Sequence, residues 1–298
     1  MGGPGVGGGA LLVDKPSGPT SHDVVARARR TFHTRAVGHT GTLDPFASGL
    51  LMLVLGNATR LARWAERRRK TYRAVARLGQ TTTTDDRTGE VLAEHTGPHW
   101  PTREEVELAL AGLVGAQDQQ PPAFSAKRID GVRSYRLARK RSPVSPAAAP
   151  VMVHGLDLVE YRVPFLTFVA EVGPGTYLRA IARDLGLALE VGAHLTELRR
   201  ERIGSWRVEE AFPLAELRAE TPLLPAELLV ADLPRVELTP DEVRAVRHGR
   251  DVVREPAGEG EGAEAALVGE HGLVGIGRRA GAGWHPAVVL HDAVTTHP

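Results

Sequence analysis

The sequence contains no cysteine, which excludes disulfides, thiolate zinc sites and a cysteine nucleophile. No apolar run approaches the roughly 18 residues that a membrane-spanning helix requires. The chain begins with glycines and not with a basic segment followed by an apolar one, so it predicts no signal peptide. From these absences we expect a soluble, cytoplasmic protein.

Two catalytic signatures are also missing. The chain has neither the phosphate-binding pattern Gly-x-x-x-x-Gly-Lys-Ser/Thr nor the zinc-binding pattern His-Glu-x-x-His, and its 12 histidines are scattered. We therefore expect no metal site.

The length of 298 residues predicts one large domain and a smaller one. Residues 1–9 are mostly glycine, and this composition predicts a disordered tail. Beyond about residue 232, short apolar pieces alternate with glycine-rich turns, a pattern that indicates a small β-domain. The expected division is a tail over 1–9, a large domain over 10–231 and a small domain over 232–298.

The net charge is only +1, but basic residues are concentrated in two places. Residues 1–79 carry 13 Lys/Arg against 4 Asp/Glu, and Lys127 to Arg141 holds 7 basic residues against Asp130 alone. Such density suits a surface that follows nucleic-acid phosphates. For the run from Arg67 to Lys70, a solvated helix face is an equally good interpretation.

An octet from Gly38 to Pro45 holds one carboxylate, Asp44, between glycines and a proline. The glycines permit close approach of another molecule, and Pro45 pushes Asp44 out of the helical region. An Asp-Pro pair alone usually opens a turn in which the carboxylate binds local backbone. Asp44 is a candidate catalytic residue, and the surrounding sequence has to distinguish this role from that of a turn residue.

Hydrophobic periodicity predicts strands at Leu11 to Val13, Tyr72 to Leu78, Met152 to Tyr161, Phe165 to Val172 and Gly192 to Arg200. The segment Leu50 to Leu55 is apolar on both faces and predicts a buried strand or core helix turn. Helices are expected after the N-caps Ser21, Asn57, Thr102, Thr176 and Thr239.

Several blocks, in order, resemble the TruB-type tRNA pseudouridine synthases. They are Leu11 to Pro16, the octet with Ala47 to Leu51, Lys70 to Arg73, Phe124 to Ala126, Gly175 to Arg179 and Gly192 to Arg200. The resemblance covers roughly residues 10–215. It implies an α+β pseudouridine synthase fold, with a mixed, largely antiparallel sheet flanked by helices. It also implies that residues 232–298 form a PUA-like RNA-binding β-domain, although the acidic balance of this segment weakens that assignment.

The resemblance assigns roles to individual residues. Asp44 is the catalytic group, and Arg179 pairs with it and keeps it ionised. Tyr72 packs on a flipped base, while Tyr177 and Leu198 contact the target uridine. His39 is carried over as a substrate contact, and Lys15 as a supporting residue near the cleft.

The implied activity is the isomerisation of the T-arm uridine at tRNA position 55 to pseudouridine, after the base is flipped out. No cofactor is expected because the reaction is redox-neutral, and no obligate protein partner is expected. Two alternatives stay open: a synthase of the same fold that acts on another RNA with a guide complex, and a non-catalytic RNA-binding or RNA-folding protein. Whether Asp44 attacks ribose C1′ or pyrimidine C6, or abstracts a ribose proton, also stays open.

Three positions depart from the family pattern. Phe124 stands where a tyrosine is usual, which keeps stacking and loses a hydroxyl. Pro174 replaces a polar or basic residue, so a phosphate contact is expected to be missing. Thr83 replaces an aspartate, which puts the role of an acidic residue there in doubt.

Overall fold

The structure is a computed structural model that describes residues 8–122, 128–129, 132–133, 147–253 and 260–290, with the backbone alone at 128–129 and 132–133. Phe124 and most of the basic run from Lys127 to Arg141 lie outside the described residues. Within the described ranges, no helix combines the length and apolar character needed to cross a membrane.

The strands form two large sheets and two hairpins. In chain order they are β1 (Gly9–Lys15), β2 (Val37–His39), β3 (Ser48–Leu55), β4 (Lys70–Leu78), β5 (Gln80–Thr82), β6 (Val91–Glu94), β7 (Gly115–Gln119), β8 (Arg128–Ile129), β9 (Val132–Arg133), β10 (Ala149–Arg162), β11 (Phe165–Val172), β12 (Ala193–Ile203), β13 (Trp206–Arg207), β14 (Phe212–Pro213), β15 (Leu224–Pro225), β16 (Arg235–Glu237), β17 (Val252–Val253), β18 (Glu264–Gly269), β19 (Gly272–Ala280) and β20 (Gly283–Val289).

The α-helices are α1 (Ser21–Thr31), α2 (Ala62–Glu66), α3 (Arg103–Gly112), α4 (Leu178–Ala188) and α5 (Pro240–Arg247). Short 3₁₀ segments lie at Gly56–Leu61, Val208–Glu210, Leu214–Glu216 and Ala226–Val230.

The main sheet has the strand order β14-β1-β3-β12-β4-β11-β10-β7, with β2, β13 and β15 paired at its side. Most of its pairings are antiparallel, and β1 with β14 and β12 with β3 are parallel. Strand β3 is central, because it pairs with β1, β2 and β12. The expected buried segment at Leu50 to Leu55 is this strand.

The two faces of the sheet bury two different cores, as the two-residue period of a strand requires. Leu51, Leu53 and Leu55 of β3 enter the core that packs against α1 and α4. Their neighbours Leu50 and Met52 point to the opposite side, into a core that also contains residues of β18, β19 and β20. The small C-terminal sheet, ordered β16-β18-β19-β20-β17, therefore packs on the face away from α4.

Some predicted helix starts are wrong by a residue or more. Thr20, not Ser21, caps α1 through a reciprocal capping box, and the Ser21 hydroxyl instead bonds Leu43. Tyr177 occupies the N-cap of α4, whereas the Thr176 hydroxyl donates to the carbonyl of Gly173.

The expected helix after Asn57 is a 3₁₀ turn followed by a single short helix, α2, and neither has a side-chain cap. The predicted helix starts at Thr102 and Thr239 are confirmed, and each of these N-caps forms a reciprocal capping box. Gly9, which was assigned to the predicted tail, pairs in β1.

The basic run from Arg67 to Lys70 already has protein partners. They are, in order, Glu264 at 3.2 Å, Asp232 at 3.0 Å, Glu171 at 3.2 Å and, for the lysine, the carbonyls of Glu66 and Arg68. The run therefore joins α2 to neighbouring elements, including the C-terminal sheet.

Glu264 of β18 joins the C-terminal sheet to α2 and the residue that follows it. It accepts a 2.9 Å hydrogen bond from the Trp64 indole and pairs with Arg63 at 3.1 Å as well as with Arg67. Burial alone would raise the pKa of Glu264, but the Trp64 bond and the two arginines hold it below its usual value.

Candidate active site

A cavity of about 310 Å³ opens beside the octet. Its wall is formed by the octet, by β4 and β12 of the main sheet, and by the turn that leads into α4. The lining residues are Gly41 to Asp44, Glu66, Lys70, Tyr72, Gly173 to Arg179, Leu198 and Arg200. Four of the predicted site residues (Asp44, Tyr72, Tyr177 and Leu198) and the supporting Arg179 thus meet at one place.

The octet is fixed from behind by α1. The Ser21 hydroxyl donates to the carbonyl of Leu43 at 3.1 Å and accepts from its N–H at 2.9 Å. The Leu43 side chain is buried, and the Pro45 carbonyl accepts a hydrogen bond from Gly18 at 2.7 Å. Gly41 has a φ of +101°, a conformation that favours glycine. These contacts hold Asp44 at the cavity wall with one third of its side chain exposed.

Arg179 binds Asp44 through two parallel hydrogen bonds. Its Nε lies 2.9 Å from Oδ2 of Asp44, and its Nη2 lies 3.2 Å from Oδ1. Only 5% of the Arg179 side chain is exposed, so solvent screens the arginine end of this ion pair little. The two bonds fix the position of the Asp44 carboxylate at the cavity wall.

A second carboxylate, Asp86, stands behind the arginine and was missed by the sequence analysis. Its Oδ2 lies 3.5 Å from Arg179 Nη1, which also donates to the Thr84 carbonyl at 2.8 Å. The other oxygen of Asp86 accepts bonds from the Thr84 hydroxyl and from the N–H and hydroxyl of Thr88. Asp86, three residues after Thr83, thus places an acidic side chain in contact with Arg179.

Tyr72 and Leu198 form adjacent apolar parts of the wall. Both side chains are buried, and they project from neighbouring strands β4 and β12. Tyr177, at the start of α4, has its backbone fixed by the Gln119 side chain, whose oxygen accepts from the N–H at 2.8 Å and whose amide donates to the carbonyl at 3.1 Å. These three residues offer a slot with flat, mainly apolar walls.

Two buried cations, Lys70 and Arg200, complete the cavity, and the sequence analysis gave neither a role. Burial, together with the nearby Arg200 and against the opposing effect of Glu66, lowers the pKa of Lys70 to about 8. Arg200 donates to the carbonyls of Leu50 at 2.6 Å and Gly41 at 3.1 Å, and to the Tyr72 hydroxyl at 3.4 Å. The sequence did contain an indication of both positions. Lys70 lies two residues from the predicted contact Tyr72 on β4, and Arg200 lies two residues from the predicted contact Leu198 on β12.

Lys15 and His39 lie outside the lining of this cavity. Lys15 is fully buried and donates to the carbonyls of Pro16 and Pro19 at 2.9 and 2.8 Å. Burial lowers the pKa of Lys15 to about 8, against the raising effect of Asp44. The His39 ring packs edge-on against His22, with 5.7 Å between the ring centres. Among the described residues, no group of three His, Asp or Glu side chains suits a metal ion.

Comparison with known proteins places this geometry in a family. Residues 29–178 match the model of the TruB family pseudouridylate synthase N-terminal domain, and residues 179–230 match that of the tRNA pseudouridylate synthase B C-terminal domain. A tRNA pseudouridine synthase B of a Mycobacterium species (strain KMS) is 45% identical over 264 residues, covering 87% of this chain and 88% of its own. The protein of the same name from Mycobacterium ulcerans is 42% identical, covering 98% and 97%. The chain belongs to the TruB family.

Solved structures agree with the TruB assignment over most of the chain. One neighbour is a chain of an H/ACA ribonucleoprotein bound to a substrate RNA containing 2′-deoxyuridine, with a TM-score of 0.73, 25% identity and coverage of 95% of this chain and 85% of its own. Another comes from a Cbf5–Nop10–Gar1 complex, with a TM-score of 0.73, 27% identity and coverage of 95% and 84%. The predicted pseudouridine synthase fold with a small C-terminal PUA-like β-domain is confirmed.

Proposed function

We propose that this protein isomerises the T-arm uridine at tRNA position 55 to pseudouridine, with Asp44 as the catalytic group. The observation that carries the proposal is the two-bond pair between Arg179 and Asp44 at a cavity walled by Tyr72 and Leu198. Membership of the TruB family, with close relatives named tRNA pseudouridine synthase B, supports the choice of tRNA.

The residues divide the work as follows. The uridine is flipped out of the RNA, because a stacked base cannot reach a side chain inside a cavity. Tyr72 and Leu198 enclose the uracil, and Tyr177 contacts the nucleotide from the start of α4. Arg179 holds Asp44 ionised and aimed at the nucleotide, while Asp86 and the Thr84 carbonyl hold Arg179. His39 contacts the RNA from outside the cavity lining. Lys15, also outside the lining, supports the position of the cavity wall.

The same proposal covers the wider organisation. The catalytic domain spans residues 10–231, and residues 232–298 form an RNA-binding module fixed to it through Glu264. The enzyme acts in the cytoplasm and needs no protein partner. The competing account is guide-dependent action on another RNA, and the likeness to chains of two H/ACA ribonucleoproteins is the reason to test it.

An unmodified tRNA transcript with purified protein, buffer and salt tests these statements together. We expect pseudouridine at position 55, and no conversion in a matched transcript that carries cytidine there. Conversion at another uridine would refute the site assignment. Binding of the transcript without any conversion would refute the partner-free activity and favour the guide-dependent account.

A further inference from the structure

The face of β4 and β12 that borders the cavity carries an unexplained pair of charges. Lys70 and Tyr72 are two residues apart on β4, and Leu198 and Arg200 are two apart on β12, so each pair projects to the same side of the sheet. Arg200 is the direct cross-strand partner of Tyr72. All four side chains line the cavity. The apolar slot therefore ends, along the strands, at two cations.

These cations have no anionic partner of their own among the residues that the structure describes. Lys70 donates to the carbonyls of Glu66 and Arg68, and Arg200 to two carbonyls and the Tyr72 hydroxyl. Lys70 is 6% exposed and Arg200 is 1% exposed. Burying two like charges side by side is unfavourable unless an anion is supplied. The nearest acidic influence on Lys70 is Glu66, an exposed residue of α2.

Charge is distributed unevenly around the cavity. On the octet side, the single positive charge of Arg179 faces two carboxylates, Asp44 and Asp86. On the sheet side, Lys70 and Arg200 contribute two positive charges. Lys15 adds positive charge near Asp44 on the octet side, and Glu66 adds negative charge near Lys70 on the sheet side. The sheet side remains the more positive of the two, and it favours negative charge on the part of a bound ligand nearest to it.

The isomerisation generates such a charge by every route open to Asp44. Attack on C1′, or removal of a ribose proton, breaks the N1–C1′ bond and leaves its electron pair on the uracil ring, where the oxygens share it. Attack on C6 instead pushes the C5=C6 electron pair toward O4. On the C1′ route, C5 then bonds to C1′ as the carboxylate of Asp44 leaves that carbon. On the ribose-proton route, C5 bonds to C1′ and the proton returns to the ribose, and on the C6 route the N1–C1′ bond breaks, C5 bonds to C1′ and Asp44 leaves C6. On every route the C5 hydrogen leaves as a proton and N1 gains a proton, so the product is a neutral isomer.

We propose that Lys70 and Arg200 form a cationic subsite for the uracil ring and stabilise the negative charge that the ring carries between bond breaking and rejoining. The inference rests on the proposed function. It makes both residues catalytic, in addition to the structural bonds that Arg200 makes with Gly41 and Leu50.

The burial of the pair favours the ring over an RNA phosphate as the anion. Arg200 and Lys70 are as deeply buried as Tyr72 and Leu198, which are both 7% exposed. The base enters the cavity when it is flipped, whereas the phosphates remain on the strand at the cavity mouth. An anion site for phosphate would need cations that the backbone can reach from solvent.

The test compares Lys70→Met with wild type in single-turnover reactions, with enzyme in saturating excess over tRNA that carries either uridine or 5-fluorouridine at the target position. Fluorine at C5 withdraws electrons and makes the ring anion more stable without help from the protein. The readout is the rate at which the target nucleoside is lost. Arg73→Met is the matched control, because Arg73 lies on the opposite, exposed face of β4 and pairs with Glu201 at 3.2 Å.

We expect Lys70→Met to lose about 100-fold in rate on uridine, the size typical of removing one group that stabilises transition-state charge. The loss on 5-fluorouridine should be clearly smaller, RNA affinity should be unchanged, and Lys70→Arg should recover most of the rate. Arg200→Gln should show the same dependence on fluorine. Arg73→Met should match wild type in rate.

Three results would overturn the inference while leaving the proposed function intact. They are a wild-type rate for Lys70→Met on uridine, equal losses on uridine and 5-fluorouridine, and a loss confined to RNA affinity, which would assign the cations to a phosphate. Lys70→Gln provides the same comparison if the methionine variant does not fold. Failure of the wild type itself to convert uridine would instead refute the proposed function.

Discussion

Replacing Asp86 with asparagine removes one negative charge and keeps the shape of the side chain. The Oδ1 position would still accept the bonds from Thr84 and Thr88. What is lost is the attraction between Oδ2 and Arg179 Nη1 across 3.5 Å. With an effective dielectric constant of about 20, two unit charges at that distance attract by about 5 kcal/mol.

The net effect is smaller than this attraction, because the asparagine no longer bears the desolvation cost of a buried carboxylate. Bonds between charged groups typically contribute about 2 kcal/mol net. We therefore expect Asp86→Asn to lower the melting temperature by about 4 °C. If the same 2 kcal/mol is lost at the transition state because Arg179 no longer holds Asp44 in place, turnover falls by about 30-fold.

The assay is single-turnover pseudouridine formation on an unmodified tRNA transcript, with thermal unfolding of the same samples. The matched control is Asp85→Asn, one residue away. Asp85 has a φ of +57°, which asparagine tolerates, and its ion pair is with Arg183 at 3.4 Å, whereas Arg179 pairs with Asp44 and Asp86. Burial raises the pKa of Asp85, so this variant should keep its turnover and be at least as stable as wild type at neutral pH. Equal turnover in Asp86→Asn and wild type, or equal losses in both variants, would refute the reasoning.

Three further predictions concern pH, the domain contact and the backbone. The pKa of Lys70 is about 8 in the folded protein and 10.5 in the unfolded chain, so the unfolded chain binds more protons between these pH values. The free energy of unfolding should therefore rise over that range, while the single-turnover rate falls. A rate that stays constant across pH 8 would contradict the role of the Lys70 charge. Glu264→Gln should cost about 2 kcal/mol in chemical denaturation at neutral pH, and Glu270→Gln, on an exposed turn, should cost nothing measurable; equal effects would refute this role of Glu264. At Gly49, where φ is +102° and an added Cβ would lie 2.3 Å from the Arg200 carbonyl, alanine should abolish folding or activity, whereas Gly112→Ala, with open space around it, should be harmless in melting and activity assays.

Much of the sheet could be predicted because period-two patterns are local. The strands β4, β10 and β11 were predicted close to their observed bounds. The helix starts at Thr102 and Thr239 were also found, since each capping box is a pattern within four residues.

Two predicted helix starts were wrong because the hydroxyl expected to cap the helix binds another residue. Ser21 looks like an N-cap, but its hydroxyl bonds Leu43, which is 22 residues away and part of the octet. Thr176 binds the Gly173 carbonyl in the turn before α4. The first competition cannot be seen from the local sequence, because only the fold brings Leu43 close to Ser21. The second partner is local, since Gly173 lies three residues before Thr176.

The site shows the same division. Asp44, Tyr72, Tyr177, Leu198 and Arg179 were found through resemblance to the family, and the structure brings them to one cavity. Asp86, Lys70 and Arg200 were missed. Only the pairing of β4 with β12 and the fold of the loop that holds Asp86 bring them to the site. The roles of all these residues stay predictions until variants are measured.

The central claim is that Asp44, held by Arg179, performs the chemistry. Its most direct test is single-turnover pseudouridine formation by Asp44→Asn, with wild-type protein and the same tRNA transcript as reference. Asparagine keeps the side-chain shape but removes the negative charge that Arg179 binds at 2.9 and 3.2 Å. We expect the variant to bind tRNA as wild type does and to form no detectable pseudouridine. Pseudouridine formation by Asp44→Asn at a rate near that of wild type would contradict the account.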